Sequence, residues 1–464
     1  MRRVTSFLLL FILVCTMFSG TALAAEPQFT GSVAASYYML ADADSGRVLA
    51  SSSNADEQME PASTTKVMTL LLALEKGNMN DEVTVSGHAA DMGGSSCDLK
   101  RGAKIKMQNL LTAMMMVSGN DAATAVAEHI GGGSEQTFID MMNAKAKELG
   151  MNNTHFVTPH GMHKEDHYTT LNDMKILVST AMKNAAFMEI VDRSSYTLPE
   201  NNQNYTNTNK LLIQDSESYY PYANGMKTGS TDYAGGCLVA SATKDGMNLI
   251  CLLFKDTTSD GKDRWADAKE LFDFGFTNYT TLKLSDVLKD TPPVQKQVEN
   301  CSSMDEKGGL LEFAQPSEGA SVTLTKDAAK GLENGTDSVE VVPVFVNGET
   351  LQAPIQKEAV LGTVTYKSKN TGETLYTGPL VATRDVLQAG TESNVNGDTA
   401  VTKLPPLIPE KISESNDHSG IWFWLLVPVG LIGFLVFRLL TQNHKRRKRF
   451  APRKKPQYSY KIRR

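Results

Sequence analysis

The sequence predicts an α/β (α+β) body with an antiparallel sheet flanked by helices, then a small all-β domain and a membrane-spanning helix near the C-terminus. Three observations lead there. Strong helical periodicities at Asn109–Ile130 and Glu135–Leu149 share the first part of the chain with a predicted hairpin at Gly235–Lys255. Strand-like runs at Ser338–Val346 and Ala359–Tyr366, punctuated by Asn-Gly and Thr-Gly turns, follow without such helices. The last apolar run, Ile421–Leu440, has about 20 residues, which at 1.5 Å each span roughly the 30 Å of a hydrocarbon core.

The N-terminus reads as a secretory signal over residues 1–25. Arg2 and Arg3 precede an apolar run, Phe7–Phe18, too short to cross a bilayer, and Ala22-Leu23-Ala24 offers a small-x-small cleavage site. The body, with 41% hydrophobic and 21% charged residues over the whole chain, is globular in composition. The formal net charge of -6 includes a dense basic tail from Lys445 to Arg464, so the rest is more acidic than the total. That argues against a nucleic-acid-binding body and leaves the basic tail as a segment able to touch anionic lipid. Residues 391–420, rich in Thr, Ser, Asn, Pro and acidic side chains, read as an extended linker. Trp422 and Trp424 stand at the entrance of the 421–440 span, and the basic 441–464 tail follows it. The positive-inside rule puts that tail in the cytoplasm and the body outside, as a single-pass protein of the cell membrane. Cys97, Cys237, Cys251 and Cys301 remain after the signal; four cysteines in a secreted chain allow three disulfide connectivities, but a body this size does not need them, and free, buried thiols are the preferred reading.

The chemistry lies in three short motifs. Ser63-Thr64-Thr65-Lys66 opens the apolar-periodic run Val67–Leu74, with Pro61 and Ser63 as start signals and Gly77 as the stop. On a helix, i and i+3 share a face, so Lys66 lies beside Ser63. A serine hydroxyl is a weak nucleophile until a neighbouring base takes its proton. A lysine can be that base if burial and nearby positive charge depress its pKa. The Ser-x-x-Lys pattern is cheap and recurs at Ser241–Lys244, inside the predicted strand and turn, where the geometry is wrong. Ser118-Gly119-Asn120 breaks a helical region, although Ser-x-Asn also occurs at Ser52/Asn54 and Ser368/Asn370. Lys227-Thr228-Gly229 leads into the predicted hairpin, and a given tripeptide is expected only about 0.1 times in a chain this long. A strand carrying Thr then Gly can pair with an extended peptide without obstruction.

Taken in this order, the motifs match the set used by penicillin-binding proteins and class A β-lactamases. The chain resembles the low-molecular-mass penicillin-binding proteins, the D-alanyl-D-alanine carboxypeptidase family, over about residues 30–390. Pro61–Thr69, Gly93–Ser96, Ser118–Ala122, Thr158–Gly161, Lys227–Thr231 and Leu351–Lys357 carry the likeness. The resemblance implies a penicillin-binding/β-lactamase-like transpeptidase fold at 30–282, a β-rich second domain at 290–390, and no cofactor or metal. It implies hydrolysis of the terminal D-alanyl-D-alanine bond of peptidoglycan stem peptides, with β-lactam antibiotics as covalent inhibitors. Ser63 would form the acyl-enzyme with Lys66 as general base, and Ser118 and Asn120 would relay protons and hold the substrate amide. Lys227, Thr228, Gly229 and Ser230 would bind substrate, with the Ser63 and Ser230 N–H groups as oxyanion hole. Arg264 would take the terminal carboxylate. His160 is expected to be structural.

Two departures stand out. Cys97-Asp98-Leu99 occupies a loop that is often more apolar in relatives, and the chain ends in a span rather than an amphipathic helix. The nearest rival, a class A β-lactamase, needs a Glu-x-x-Leu-Asn loop; Glu165 is followed by Asp166-His167-Tyr168-Thr169 instead. A catalytically inactive wall-binding protein is disfavoured because Ser63, Lys66, Asn120 and Lys227 are all present.

Overall fold

The computed structural model describes residues 26–258, 263–346, 348 and 350–390. The predicted signal, linker, span and basic tail lie outside the described residues. Among the described residues no helix is long and apolar enough to cross a membrane.

A five-stranded antiparallel sheet organises the first part. Its strands are β1 (Tyr37–Asp42), β2 (Val48–Ser51), β3 (Ala223–Thr231), β4 (Gly235–Lys244) and β5 (Met247–Asp256), in the order β2-β1-β5-β4-β3. The predicted hairpin is β4–β5, with Lys244 paired to Met247. Asp245 and Gly246 have φ of 51° and 80°. Positive φ at both central residues is the twist-matched two-residue turn that joins antiparallel strands.

Both faces of the sheet are covered, which is why β5 reads as a nearly unbroken apolar run rather than an alternating one. Met39, Ala41, Ile250, Leu252 and Phe254 point into a core built mainly by α1 (Lys66–Lys76), α2 (Met107–Val117), α3 (Asn120–Ile130), α4 (Glu135–Glu148) and α5 (Leu171–Met182). Leu40, Leu249, Cys251 and Leu253 point the other way, against Trp265, Leu271, Phe272 and Phe276 of α6 (Asp263–Asn278). A Cβ on Gly275 would fall 2.6 Å from Leu249 Cδ1, so that glycine lets α6 lie close on the sheet.

The helical periodicity at 109–130 is two helices. Ser118 ends α2 in the left-handed region, φ 65°, and Asn120 restarts the chain as α3. Ser63 does not begin an α-helix: Ala62–Thr65 is a 3-10 turn, and α1 starts at Lys66 and stops at Gly77.

The second part runs straight on from α6. Strand Tyr279–Lys283 pairs with Ser321–Thr325, and small sheets formed by Gln295–Glu299, Leu310–Glu312 and Leu351–Gln352, and by Val339–Phe345, Val360–Ser368 and Thr374–Val381, enclose a core around Leu311, Leu324, Tyr366 and Leu380. It is β-rich but not all-β, because Lys326–Glu333 forms a helix capped by Thr325 Oγ1. Asp42, fully buried in β1, accepts hydrogen bonds from Ser45 Oγ at 2.8 Å and from Thr281 Oγ1 at 2.7 Å. Arg47 adds a bond to the Thr323 carbonyl at 2.5 Å and an ion pair with Glu373. Polar groups at the end of β1 thus tie the second part to the sheet. Cys97, Cys237, Cys251 and Cys301 are free; the first three are buried and Cys301 is half-buried.

Candidate active site

Ser63 sits between the free edge of the sheet and the helical layer. Ala62 takes φ 47°, a left-handed conformation that costs a non-glycine residue about 1–3 kcal/mol. The surroundings enforce it. Thr64 Oγ1 donates to the Pro61 carbonyl at 2.6 Å and Thr65 Oγ1 to the Ala62 carbonyl at 2.8 Å. Gly161, with φ +84°, presses on the same turn, and a Cβ there would fall 1.8 Å from Ala62 O. Gly229 of the edge strand β3 does the same from the sheet, where a Cβ would lie 3.1 Å from the Ser63 nitrogen. Glycine at 229 therefore lets the Lys227-Thr228-Gly229 strand abut the serine backbone.

Lys66 is completely buried. Its Nζ lies 3.1 Å from Ser63 Oγ, 2.8 Å from Asn120 Oδ1 and 2.8 Å from the His160 carbonyl. Burial first, and then the charge of Lys227, push its pKa well below the ordinary lysine range. Asn120 is held in turn: its Nδ2 donates to Gly93 O at 2.8 Å and its backbone N–H to Ser95 O at 2.7 Å. Ser118 Oγ is buried beside it and has no hydrogen-bond partner among the described residues.

On the sheet side, Lys227 is buried and donates to the Thr228 carbonyl at 2.9 Å. Burial, followed by the charge of Arg264, lowers its pKa to about 7. Thr228 Oγ1 is 2.7 Å from Thr208 Oγ1, and beyond Thr208 a cavity of about 840 Å³ opens towards Lys210, Trp265 and Lys269. Ser230 is exposed and pairs with Gly236 of β4. Arg264 crosses over that glycine: a Cβ on Gly236 would fall 2.2 Å from its Nη1. The structure therefore brings Ser63, Lys66, Ser118, Asn120, Lys227, Thr228, Gly229, Ser230 and Arg264 into one region, drawn from segments up to two hundred residues apart. Among the described residues no group of histidine, cysteine and acidic side chains is set to hold a metal ion.

Several members of the site have no local signature in the sequence. The His160 carbonyl, not its ring, meets Lys66. Burial lowers the His160 pKa to about 3, leaving a neutral ring whose Nδ1 accepts from Met162 N–H at 3.1 Å. His167 has the same character, with a pKa lowered to about 4 chiefly by burial. Its Nδ1 accepts from Val157 N–H at 2.9 Å, so Nε2 carries the proton and donates to Thr65 Oγ1, also at 2.9 Å. That chain of bonds runs from the 155–170 loop through Thr65 to the Ala62 carbonyl. Cys97 lies beneath Gly119, and burial together with Asp121 holds it as a thiol.

Comparison with known proteins identifies the fold and the family. A solved structure of penicillin-binding protein 5 from Haemophilus influenzae superposes with a TM-score of 0.66 at 28% identity, covering 78% of this chain and all of that one. The D-alanyl-D-alanine carboxypeptidase DacD structure from Francisella tularensis gives 0.59 at 26% identity, over 80% of this chain and 98% of that one. The fold is thus the α+β fold of penicillin-binding proteins. Residues 21–258 match the D-alanyl-D-alanine carboxypeptidase peptidase family. D-alanyl-D-alanine carboxypeptidase DacF of Bacillus subtilis is 35% identical over 84% of this chain and 96% of its own length. DacC of Escherichia coli is 31% identical over 81% and 90%. The chain belongs to the D-alanyl-D-alanine carboxypeptidase family and is a serine-type peptidase.

The neutral His167 has a consequence for stability. A histidine free in the unfolded chain titrates near 6.5, but His167 in the fold only near 4. Between those values the unfolded state binds more protons, so stability falls as pH drops from 6.5 to 4. That difference corresponds to about 3 kcal/mol for this residue. Urea unfolding between pH 7 and pH 4 should show that loss, and His167→Gln should flatten the slope. A slope unchanged by the substitution would place the acid sensitivity elsewhere.

Proposed function

We propose that Ser63 is the nucleophile and Lys66 its base in release of the terminal D-alanine from peptidoglycan stem peptides, and that penicillins acylate the same serine. The geometry at Lys66 Nζ carries this reading. A neutral amine has two hydrogens and one lone pair. Asn120 Oδ1 and the His160 carbonyl, both acceptors at 2.8 Å, take the two hydrogens. The lone pair is left facing the Ser63 hydroxyl at 3.1 Å. The proton then moves from Ser63 Oγ to Lys66 as Oγ bonds to the penultimate D-alanine carbonyl. It passes on, with Ser118 as relay, to the departing D-alanine nitrogen as the C–N bond breaks. Water afterwards hydrolyses the ester, releasing the shortened stem peptide and restoring the Ser63 hydroxyl.

The other site residues have matching tasks. Backbone N–H groups of Ser63 and Ser230 serve the developing oxyanion, where fixed donors act without reorganisation. The stem peptide lies along the free edge of β3, adding a strand beside Thr228 and Gly229. Asn120 also holds the substrate amide. Lys227 supplies positive charge, and Arg264, beyond Ser230, pairs with the terminal carboxylate through its planar fork. No cofactor enters this scheme.

The membrane arrangement is part of the proposal and rests on the sequence. Residues 1–25 act as a signal, 30–282 as the catalytic domain, 290–390 as the β-rich domain and 391–420 as a linker. Residues 421–440 cross the membrane once, leaving the catalytic domain extracytoplasmic and the 441–464 basic tail cytoplasmic.

Three outcomes follow. Ser63→Ala should abolish D-alanine release and covalent labelling by a fluorescent penicillin while the thermal melt stays cooperative; labelling that persists in the folded variant would refute the nucleophile. Arginine keeps the charge at position 66 but does not deprotonate. Lys66→Arg should therefore lower the second-order acylation rate by at least about 10²-fold, the low end for general-base catalysis; a rate within a few-fold of wild type would remove Lys66 as base. Protease added outside spheroplasts should release the catalytic domain and spare the segment after Leu440, whereas external cleavage within Lys445–Arg464 would overturn the topology.

A further inference from the structure

Asp121 follows Asn120 directly and is 1% exposed. Its Oδ2 accepts from Ser96 Oγ at 2.6 Å and Leu99 N–H at 3.1 Å. Its Oδ1 accepts from Cys97 N–H at 2.9 Å and Ala122 N–H at 2.8 Å. Every partner donates, and both carboxyl oxygens accept. Three of the four donors belong to the loop that also supplies Gly93 O and Ser95 O to Asn120. Two neighbouring residues at the start of α3 therefore grip one loop from both ends, and the Asn120 amide that meets Lys66 is fixed between them. A further strut reaches the loop from outside, where Tyr205 O–H donates to the Cys97 carbonyl at 2.8 Å.

We infer that Asp121 is a positioning residue for the reaction: its carboxylate locks the 93–99 loop around Asn120 and is the negative charge that counterbalances Lys227 at Lys66. The groups facing Lys66 are few. Lys227 disfavours its ammonium form, while Asp121 and Cys97 favour it. Cys97 is kept as a neutral thiol by burial and by Asp121, and His160 is neutral above about pH 3. Below about pH 7, where Lys227 carries its proton, the formal charges acting on Lys66 are therefore Lys227 and Asp121; above it Lys227 is neutral and Asp121 remains. The charge acting on Lys227 itself is Arg264. Replacing Asp121 with a neutral group thus has a directed effect. The Lys66 ammonium loses support, its pKa falls further, and the free base is populated at lower pH. At the same time an amide at position 121 presents N–H groups to N–H donors, and the loop that orients Asn120 loosens.

This inference rests on Lys66 being the base, and the test separates the two. The second-order rate of acylation by a fluorescent penicillin is measured from pH 4.5 to 9 for full-length wild type, Asp121→Asn, Ser96→Ala and Lys66→Arg, each checked by thermal melt. Asp121→Asn is expected to lose about tenfold or more at its plateau and to move the acid limb down by roughly half a pH unit or more. Ser96→Ala removes one donor and keeps the charge, so it should lower the plateau with the limb in place, and it supplies the plateau test if Asp121→Asn does not fold. A merely structural Asp121 would lower the melt and leave the limb of the folded variant unmoved; that result, or plateau rates within twofold of wild type in both variants, overturns the inference. If Lys66→Arg acylates like wild type, the reading of the base fails instead.

Discussion

Burying the Lys66 amine is the constraint on which the rest depends. A lysine head group deep in a protein is tolerated only if its hydrogens find acceptors and its charge is balanced or lost. Here the two acceptors come from separate places, Asn120 at the start of α3 and a backbone carbonyl in the 155–170 loop, and the remaining lone pair meets the Ser63 hydroxyl one turn earlier. Meeting that need requires α1, α3 and the loop to pack to within hydrogen-bonding tolerance. The sheet closes the space from the far side, and Gly229 sets how closely it comes. Solvent exclusion and acceptor geometry therefore act together: the packing that removes water also fixes which direction the lone pair faces.

Much of this was legible in the sequence, and the reason differs by element. The β4–β5 hairpin was readable because Asp245-Gly246 is a local turn signal between apolar runs. The α2–α3 break was visible as Ser-Gly-Asn interrupting a helical period. Motif residues could be found because Ser63 and Lys66 need each other at fixed short spacing. What escaped reading was whatever depends on distance along the chain. Nothing near His160 says that its carbonyl rather than its ring meets Lys66. Nothing near Asp121 says that its partners lie at 96–99. The 3-10 turn at Ala62–Thr65 was missed because the neighbours that hold it, Gly161 and His167, are about a hundred residues away. The helix at Lys326–Glu333 was hidden by the strand-rich character of its surroundings, although Thr325 caps it in the usual way.

The sheet and the second part of the chain are joined by the same device that shapes the site, a buried polar residue satisfied by groups from separate elements. Asp42 collects Ser45 and Thr281, and Arg47 reaches Thr323 and Glu373. Such junctions are directional, unlike apolar contact, because each bond fixes an angle as well as a distance. The β-rich part therefore takes a defined seat at the end of β1 and β2, away from the edge strand where the site opens.

The seam between Gly161 and Ala62 bears on where this enzyme can change. With a β-carbon at 161 placed 1.8 Å from the Ala62 carbonyl, and Ala62 itself at φ 47°, the ground beneath the nucleophile has no room for a larger residue. A side chain at position 161 cannot be added without displacing the turn. The rim is different: Met162 and Tyr233 are 39% and 66% exposed, and the Tyr233 ring stacks on His163 at 3.7 Å. Side chains at those two positions have room to change that position 161 lacks, so tolerance to substitution falls from the exposed edge towards the turn that carries the serine.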